Sequence, residues 1–194
     1  MFHLAISTRR AFVPALIAAI VLALPAVASE SHSTDWVSPE SIVQALHEVV
    51  SADAGQSREW DRFRALFIDG AMISMAIKSN RMPGLMVATP EELIQQTEAN
   101  YAATGFHEIP LVIRAEEHGA MASVTNSFEI KLRRDDAEPL MRGLNHFQPL
   151  HDGERWWIVS NVSTIEAGDW KLPATFDPGK SGKQMDASPQ SSGF

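Results

Sequence analysis

The sequence predicts an α+β domain in which three N-terminal helices pack on a curved antiparallel sheet around an apolar pocket. Two observations carry that prediction. Up to Gly105 the apolar residues recur mainly at helical spacing, and beyond it they alternate with a period of two in four runs separated by hairpin signals. Helices first and consecutive antiparallel strands afterwards place the helices on one face of a sheet. The composition agrees: 194 residues, 45% hydrophobic and 21% charged, with eleven Gly and eleven Pro, suit one globular domain with non-globular ends. They exclude a collagen-like, coiled-coil or wholly disordered chain.

The first segment reads as a leader. Arg9 and Arg10 supply a basic start, Ala11 to Leu24 an apolar stretch, and Pro25-Ala26-Val27-Ala28 a small-x-small processing pattern. Residues 1–28 are therefore expected to be a signal peptide, exporting the protein to a periplasm or outside the cell with no stable membrane insertion after cleavage. The formal net charge of −8 becomes more negative once both arginines leave, which argues against nucleic acid as a partner. With no Cys there are no disulfides and no thiolate chemistry, so stability must come from a buried core. Residues 29–37 are polar and expected to be flexible, 38–172 to form the domain, and 173–194, rich in Pro, Gly and Ser, to be a disordered tail.

Within the domain, Ser38-Pro39 is an N-cap followed by proline, and Ile42, Leu46, Val49 and Val50 then form a helical stripe ending near Ala54-Gly55. A second helix is expected from Ser57, with Trp60, Phe63, Leu66 and Phe67 as its stripe and Asp69-Gly70 as its stop. Thr89-Pro90-Glu91-Glu92 spells a capping box for a third, running to about Thr104. Strands are expected at 71–78, 107–115, 120–133, 140–150 and 155–165, with turns at His118-Gly119, 134–137 and 151–154.

This order of elements resembles the nuclear-transport-factor-two-like superfamily, the cone-shaped fold of ketosteroid isomerases, scytalone dehydratase and SnoaL-like cyclases. The residues that carry the resemblance are Phe67-Ile68-Asp69-Gly70-Ala71, Gly105-Phe106-His107-Glu108, the stretch from Arg142-Gly143 to Phe147-Gln148, and Asp152-Gly153-Glu154-Arg155-Trp156-Trp157-Ile158-Val159-Ser160. The resemblance spans about Ser38 to Ile165 and implies a cone enclosing an apolar pocket. The isomerases' general-base Asp, counted on from Asp69-Gly70-Ala71, corresponds to Met75, which cannot take a proton.

Candidate site residues follow from which polar side chains would face into such a cone. Strand alternation puts Trp156 and Ile158 inward and Trp157 outward, where a large aromatic suggests a homodimer interface. Val124, Asn126, Phe128 and Ile130 share one face, and Asn126 together with either His146 or Asn145 would anchor a ligand. His146, Tyr101 and His47 are the expected acid–base candidates, and Asn126, Phe128, Trp156, Ile158 and Met75 the expected pocket lining. No spacing suggests a metal site, a phosphate loop or a nucleophile elbow, and no cofactor is expected. Asn161-Val162-Ser163 spells a glycosylation sequon, but inside a strand. The function expected is an exported module that binds a small apolar molecule or dimerises. The alternatives are a cofactor-independent isomerase, dehydratase or cyclase, and a structural domain of an envelope assembly.

Overall fold

A computed structural model describes residues 32–78 and 83–181. Residues 1–31, which include the expected signal peptide, residues 79–82 and residues 182–194 lie outside the described residues. The elements, in order, are α1 (Pro39–Val50), α2 (Trp60–Arg64), β1 (Phe67–Lys78), β2 (Pro83–Ala88), α3 (Pro90–Tyr101), β3 (His107–His118), β4 (Met121–Lys131), β5 (Met141–His151), β6 (Trp156–Ile165), a short 3-10 turn (Ala174–Phe176) and α4 (Pro178–Ser181). The strands form one six-stranded sheet in the order β2-β1-β6-β5-β4-β3, antiparallel except for the β1–β6 pair.

The two capped helices begin where their signals place them. Ser38 accepts a hydrogen bond from Ser41 N, and the Ser41 hydroxyl reaches back to Ser38 N. Thr89 and Glu92 close the same reciprocal box at α3. Between them the structure departs from the sequence expectation. α2 is a five-residue helix, and Phe67 to Gly70, read from the sequence as its end, already belong to β1. Phe63 and Phe67, four residues apart, share a face at a helical and at a strand period alike, so the stripe alone does not locate the helix end. β2, unexpected from the sequence, pairs with β1 from Lys78↔Pro83 to Ile73↔Ala88 and forms an edge, with Leu85 and Val87 exposed.

Of the sheet's register shifts, one in β3 and one in β6 shape the site; a further one falls in β1 between Phe67 and Met72. Leu111 is an extra residue in β3 between the Pro110↔Phe128 and Val112↔Ser127 pairs. Val159 is an extra residue in β6 between Ile158↔Pro149 and Ser160↔Gln148. Each reverses the in–out alternation downstream of itself. The core lies between the concave sheet face and α1, where Ile42, Val43, Leu46, Val49, Phe63, Leu66, Val124, Phe147 and Ile158 are buried.

Both flanks of the domain are docked where the sequence suggested looseness. Arg62 grips the buried Asp35 through two hydrogen bonds of 2.7 and 2.9 Å. The Arg155 guanidinium lies 3.8 Å from the Trp36 ring and 3.7 Å from the Trp157 ring. Residues 32–37 are thereby held against the fold. Beyond β6, Leu172 is buried, Asp177 pairs with Arg142 at 3.1 Å and Phe176 stacks under Arg114, so the chain remains structured through Ser181 rather than becoming a tail at Pro173. Among the described residues no helix is long and apolar enough to cross a membrane.

Gly143 on β5 is a steric requirement of the inner face. A Cβ there would lie 2.5 Å from Phe128 Cζ and 2.5 Å from the Thr164 carbonyl oxygen. Gly143→Ala is expected to lower stability by about 1–3 kcal/mol in denaturant titration. Adding Phe128→Leu should recover only part of that, because the Thr164 oxygen is backbone; full recovery would show that the ring alone set the constraint.

Candidate functional site

A cavity of about 380 Å³ lies between α3 and the concave face of the sheet. Its body is apolar: Leu46 and Val50 of α1, Ile73, Met75, Met86, Leu93, Phe106, Phe128, Ile130, Met141 and Ile165 all border it. Polar groups enter from two sides. Gln96, Thr97, Asn100 and Tyr101 come from α3, and Glu108, Asn145, Asn161 and Ser163 come from the sheet. The strand register explains the second set. Asn126↔Asn145 and Asn145↔Ser163 are direct cross-strand pairs, and Ile73↔Asn161 and Met75↔Ser163 continue the same face onto β1.

The sheet-side polar groups form a connected series. Asn126 Nδ2 donates to His47 Nε2 at 2.8 Å. His47 Nδ1 approaches Glu108 Oε1 to 3.2 Å, off the direction of a straight hydrogen bond. Asn145 Nδ2 donates to the same Glu108 oxygen at 3.1 Å, and Asn161 Nδ2 reaches Asn145 Oδ1 at 3.5 Å. His47 and Asn126 are fully enclosed, while Glu108 is 15% exposed and borders the cavity. Both named contacts to the carboxylate fall on Oε1. Oε2 carries no hydrogen bond among the described residues, and neither does the Tyr101 hydroxyl. The cavity thus presents an acceptor on the sheet side and a phenol on the helix side. No Lys, Arg or His borders it among the described residues.

The structure distributes the expected site residues unevenly. Tyr101, Phe128 and Met75 line the cavity. His47 and Asn126 sit directly behind it, in contact with each other. Trp156 and Ile158 face inward but belong to the core rather than to the cavity wall. His146 requires correction. It lies on the opposite face of β5, exposed and bonded to Thr125 Oγ1 at 3.0 Å, because Asn145 takes the inward position opposite Asn126. Glu108 was missed as a site residue, as were Asn161 and Ser163. Simple alternation in β6 from Trp156 and Ile158 predicts Ser160, Val162 and Thr164 as inward. The Val159 bulge turns Asn161, Ser163 and Ile165 in and leaves Val162 53% exposed. A carboxylate among apolar strand residues was the available signal for Glu108. Among the described residues, no cluster of three or more His, Asp or Glu could hold a metal ion.

No family model and no curated protein sequence matches the chain. Solved structures do. A protein of unknown function with a cystatin-like fold from Nostoc punctiforme superposes with a TM-score of 0.51 at 10% identity, over 66% of this chain and 89% of that one. The β subunit of a putative aromatic-ring-hydroxylating dioxygenase from Novosphingobium aromaticivorans gives 0.50 at 14% identity, over 69% and 89%. The chain has the NTF2-like, cystatin-like fold. An NTF2-like protein of unknown function from Silicibacter pomeroyi is also similar, with a TM-score of 0.44 at 18% identity over 66% and 92%. These likenesses extend to the NTF2-like fold and leave the chemistry to the site itself.

Trp157, the expected interface residue, is half-buried and serves its own hairpin. Its Nε1–H donates to Asp152 Oδ2 at 2.7 Å, and its ring covers Arg155. That N–H, with the backbone N–H groups of Arg155 and Glu154, pulls the Asp152 carboxyl down to about 2. A carboxyl depressed in the folded state contributes stability that is present above its unfolded value and lost as pH falls through the folded one. Trp157→Phe should therefore move the Asp152 midpoint up towards the ordinary carboxylate range, read by carboxyl-carbon NMR titration. A midpoint unchanged by the substitution would assign the depression to the backbone donors alone.

Proposed function

We propose that the domain binds a small, predominantly apolar molecule in the cavity between α3 and the sheet, with one donor group of the ligand on Glu108 Oε2. The observation that supports this most directly is the uneven use of that carboxylate: Oε1 accepts from Asn145 and lies 3.2 Å from His47 Nδ1, while Oε2 has no hydrogen bond among the described residues and Glu108 borders a mostly apolar cavity. A carboxylate in such surroundings is strengthened as an acceptor by the low local polarity. Tyr101 opposite it can donate to a carbonyl or ether oxygen. The cavity is of the size class that takes one- or two-ring molecules. The sequence suggests that the protein performs this role after export.

Diphenylamine is a suitable probe because it is neutral, apolar and carries a single N–H. In methyl-labelled protein the methionine signals of Met75, Met86 and Met141, which border the cavity, are expected to shift on titration, while those of Met72 and Met121, both exposed, stay in place. Glu108→Ala should weaken the affinity about tenfold, the worth of one hydrogen bond of about 1–1.5 kcal/mol. Diphenylacetate, which brings a second negative charge, should not bind. Equal binding of both probes would remove Glu108 from the reading.

A second reading is favoured by the Asn145 amide that holds Oε1 in place, with His47 Nδ1 3.2 Å from the same oxygen. Glu108 then removes a proton from a carbon beside a bound carbonyl, as in cofactor-independent isomerisation or dehydration. The protein should accelerate deuterium uptake by β-tetralone in heavy water, and Glu108→Gln should abolish the acceleration. An unchanged rate in the variant would leave the domain a binder only.

A further inference from the structure

We infer that Asn126 is a positioning residue that keeps His47 neutral with its proton on Nδ1, so that His47 acts as a fixed donor to Glu108. The argument begins at the backbone. Asn126 Nδ2 makes two contacts, 2.8 Å to His47 Nε2 and 3.3 Å to its neighbour's carbonyl oxygen, Ser127 O. Turning the amide over would bring Oδ1 against that carbonyl oxygen and replace an attraction by a repulsion. The Ser127 carbonyl therefore orients the amide, and it does so although Asn126 Oδ1 is left buried without a partner.

The amide in turn selects the state of the imidazole. Nε2 faces an N–H group, so a proton on Nε2 would point at another proton, and Nε2 must accept. The remaining proton sits on Nδ1, which faces Glu108 Oε1 at 3.2 Å. With the ring 1% exposed, no water competes for either nitrogen. His47 is thereby removed from the list of groups that exchange a proton with a bound molecule. It directs Glu108 instead, holding Oε1 on one side while Asn145 holds it on the other. The consequence for ligand binding rests on the cavity reading given above, whereas the tautomer itself does not.

The test is the nitrogen spectrum of the full chain labelled with ¹⁵N-histidine, with the His47 signals assigned by their disappearance in His47→Gln. Near neutral pH, Nδ1 is expected to show the shift of a protonated nitrogen and Nε2 that of an unprotonated acceptor. A proton on Nε2, alone or in addition to Nδ1, overturns the inference. Asn126→Asp replaces a donor by an acceptor at Nε2 and should bring a proton onto that nitrogen. A folded Asn126→Asp protein whose His47 keeps the wild-type pattern would show that Asn126 does not set the state. Should that variant not fold, the wild-type amide supplies the second reading: a side-chain Asn126 proton shifted downfield and close in space to the His47 ring protons is expected, and its absence counts against the inference. None of these measurements uses a ligand. A failed diphenylamine titration with the expected tautomer, or the reverse, therefore separates the two claims.

Discussion

Burying a histidine in an otherwise apolar helix face is the constraint from which the architecture of the site follows. The inner stripe of α1 is Ile42, Val43, Leu46, Val49 and Val50, and His47 lies among them at 1% exposure. Left unpaired, its ring nitrogens would cost about 1–3 kcal/mol each. The groups that face them come from two different strands: Asn126 on β4, 79 residues away along the chain, bonds Nε2, and Glu108 on β3 approaches Nδ1 to 3.2 Å. A helix held by apolar contacts alone can slide or rotate at modest cost. A helix that must meet two polar groups on two strands has one seating. A one-residue slip of β4 would present Thr125 or Ser127 in place of Asn126, so the docking of α1, the register of β4 and the aim of Glu108 stand or fall together.

The bulges decide what the sheet can offer to the space under α3. Without Leu111 as an extra residue, the alternation that points Glu108 and Pro110 inward would carry Val112 and Arg114 inward as well. With it, Ile113 and Ala115 pair with Asn126 and Val124, and Arg114 stays outside to stack on Phe176. The bulge at Val159 acts in the same way on β6. One end of that strand, Trp156 and Ile158, seals the core, and the other end, Asn161 and Ser163, becomes polar cavity wall. Single strands thus serve two environments, and the boundary between them is an inserted residue rather than a change of composition.

That is why the sequence is informative about the fold and less so about the site. Capping boxes are local and chemically distinctive, so Ser38 and Thr89 mark their helices correctly. The four later strands are long enough for their period to be read. β2 escaped because Pro83, Gly84 and Leu85 look like a turn followed by too short a run, and its strand character comes from pairing with β1. On β5, His146 and Asn145 are adjacent, and nothing in the residues themselves says which faces Asn126. Of the two left open, Asn145 is the one that faces inward, because the pairing Asn126↔Asn145 is a tertiary fact. Glu108 was read as part of a strand-opening pattern, and its role exists only because α1 brings His47 to it.

The electrostatics of the cavity follow from the same seating. A carboxylate in an apolar cavity commonly has a cation beside it, and among the described residues the titratable base beside the Glu108 carboxylate is His47. Held by Asn126 in a neutral state with Nδ1 3.2 Å from Oε1, it faces Glu108 without neutralising its charge. Asn145 does the same with an amide. The negative charge is then supported by dipoles on one oxygen and left uncompensated on the other, in a space lined mostly by methionine, aliphatic and aromatic side chains with neutral polar groups of α3 and β6 at its edges. Such a site repels anions before contact and rewards a molecule that brings a proton donor on an apolar body. In the proposed binding mode, selectivity by charge follows from the tautomer of a histidine enclosed behind the cavity wall.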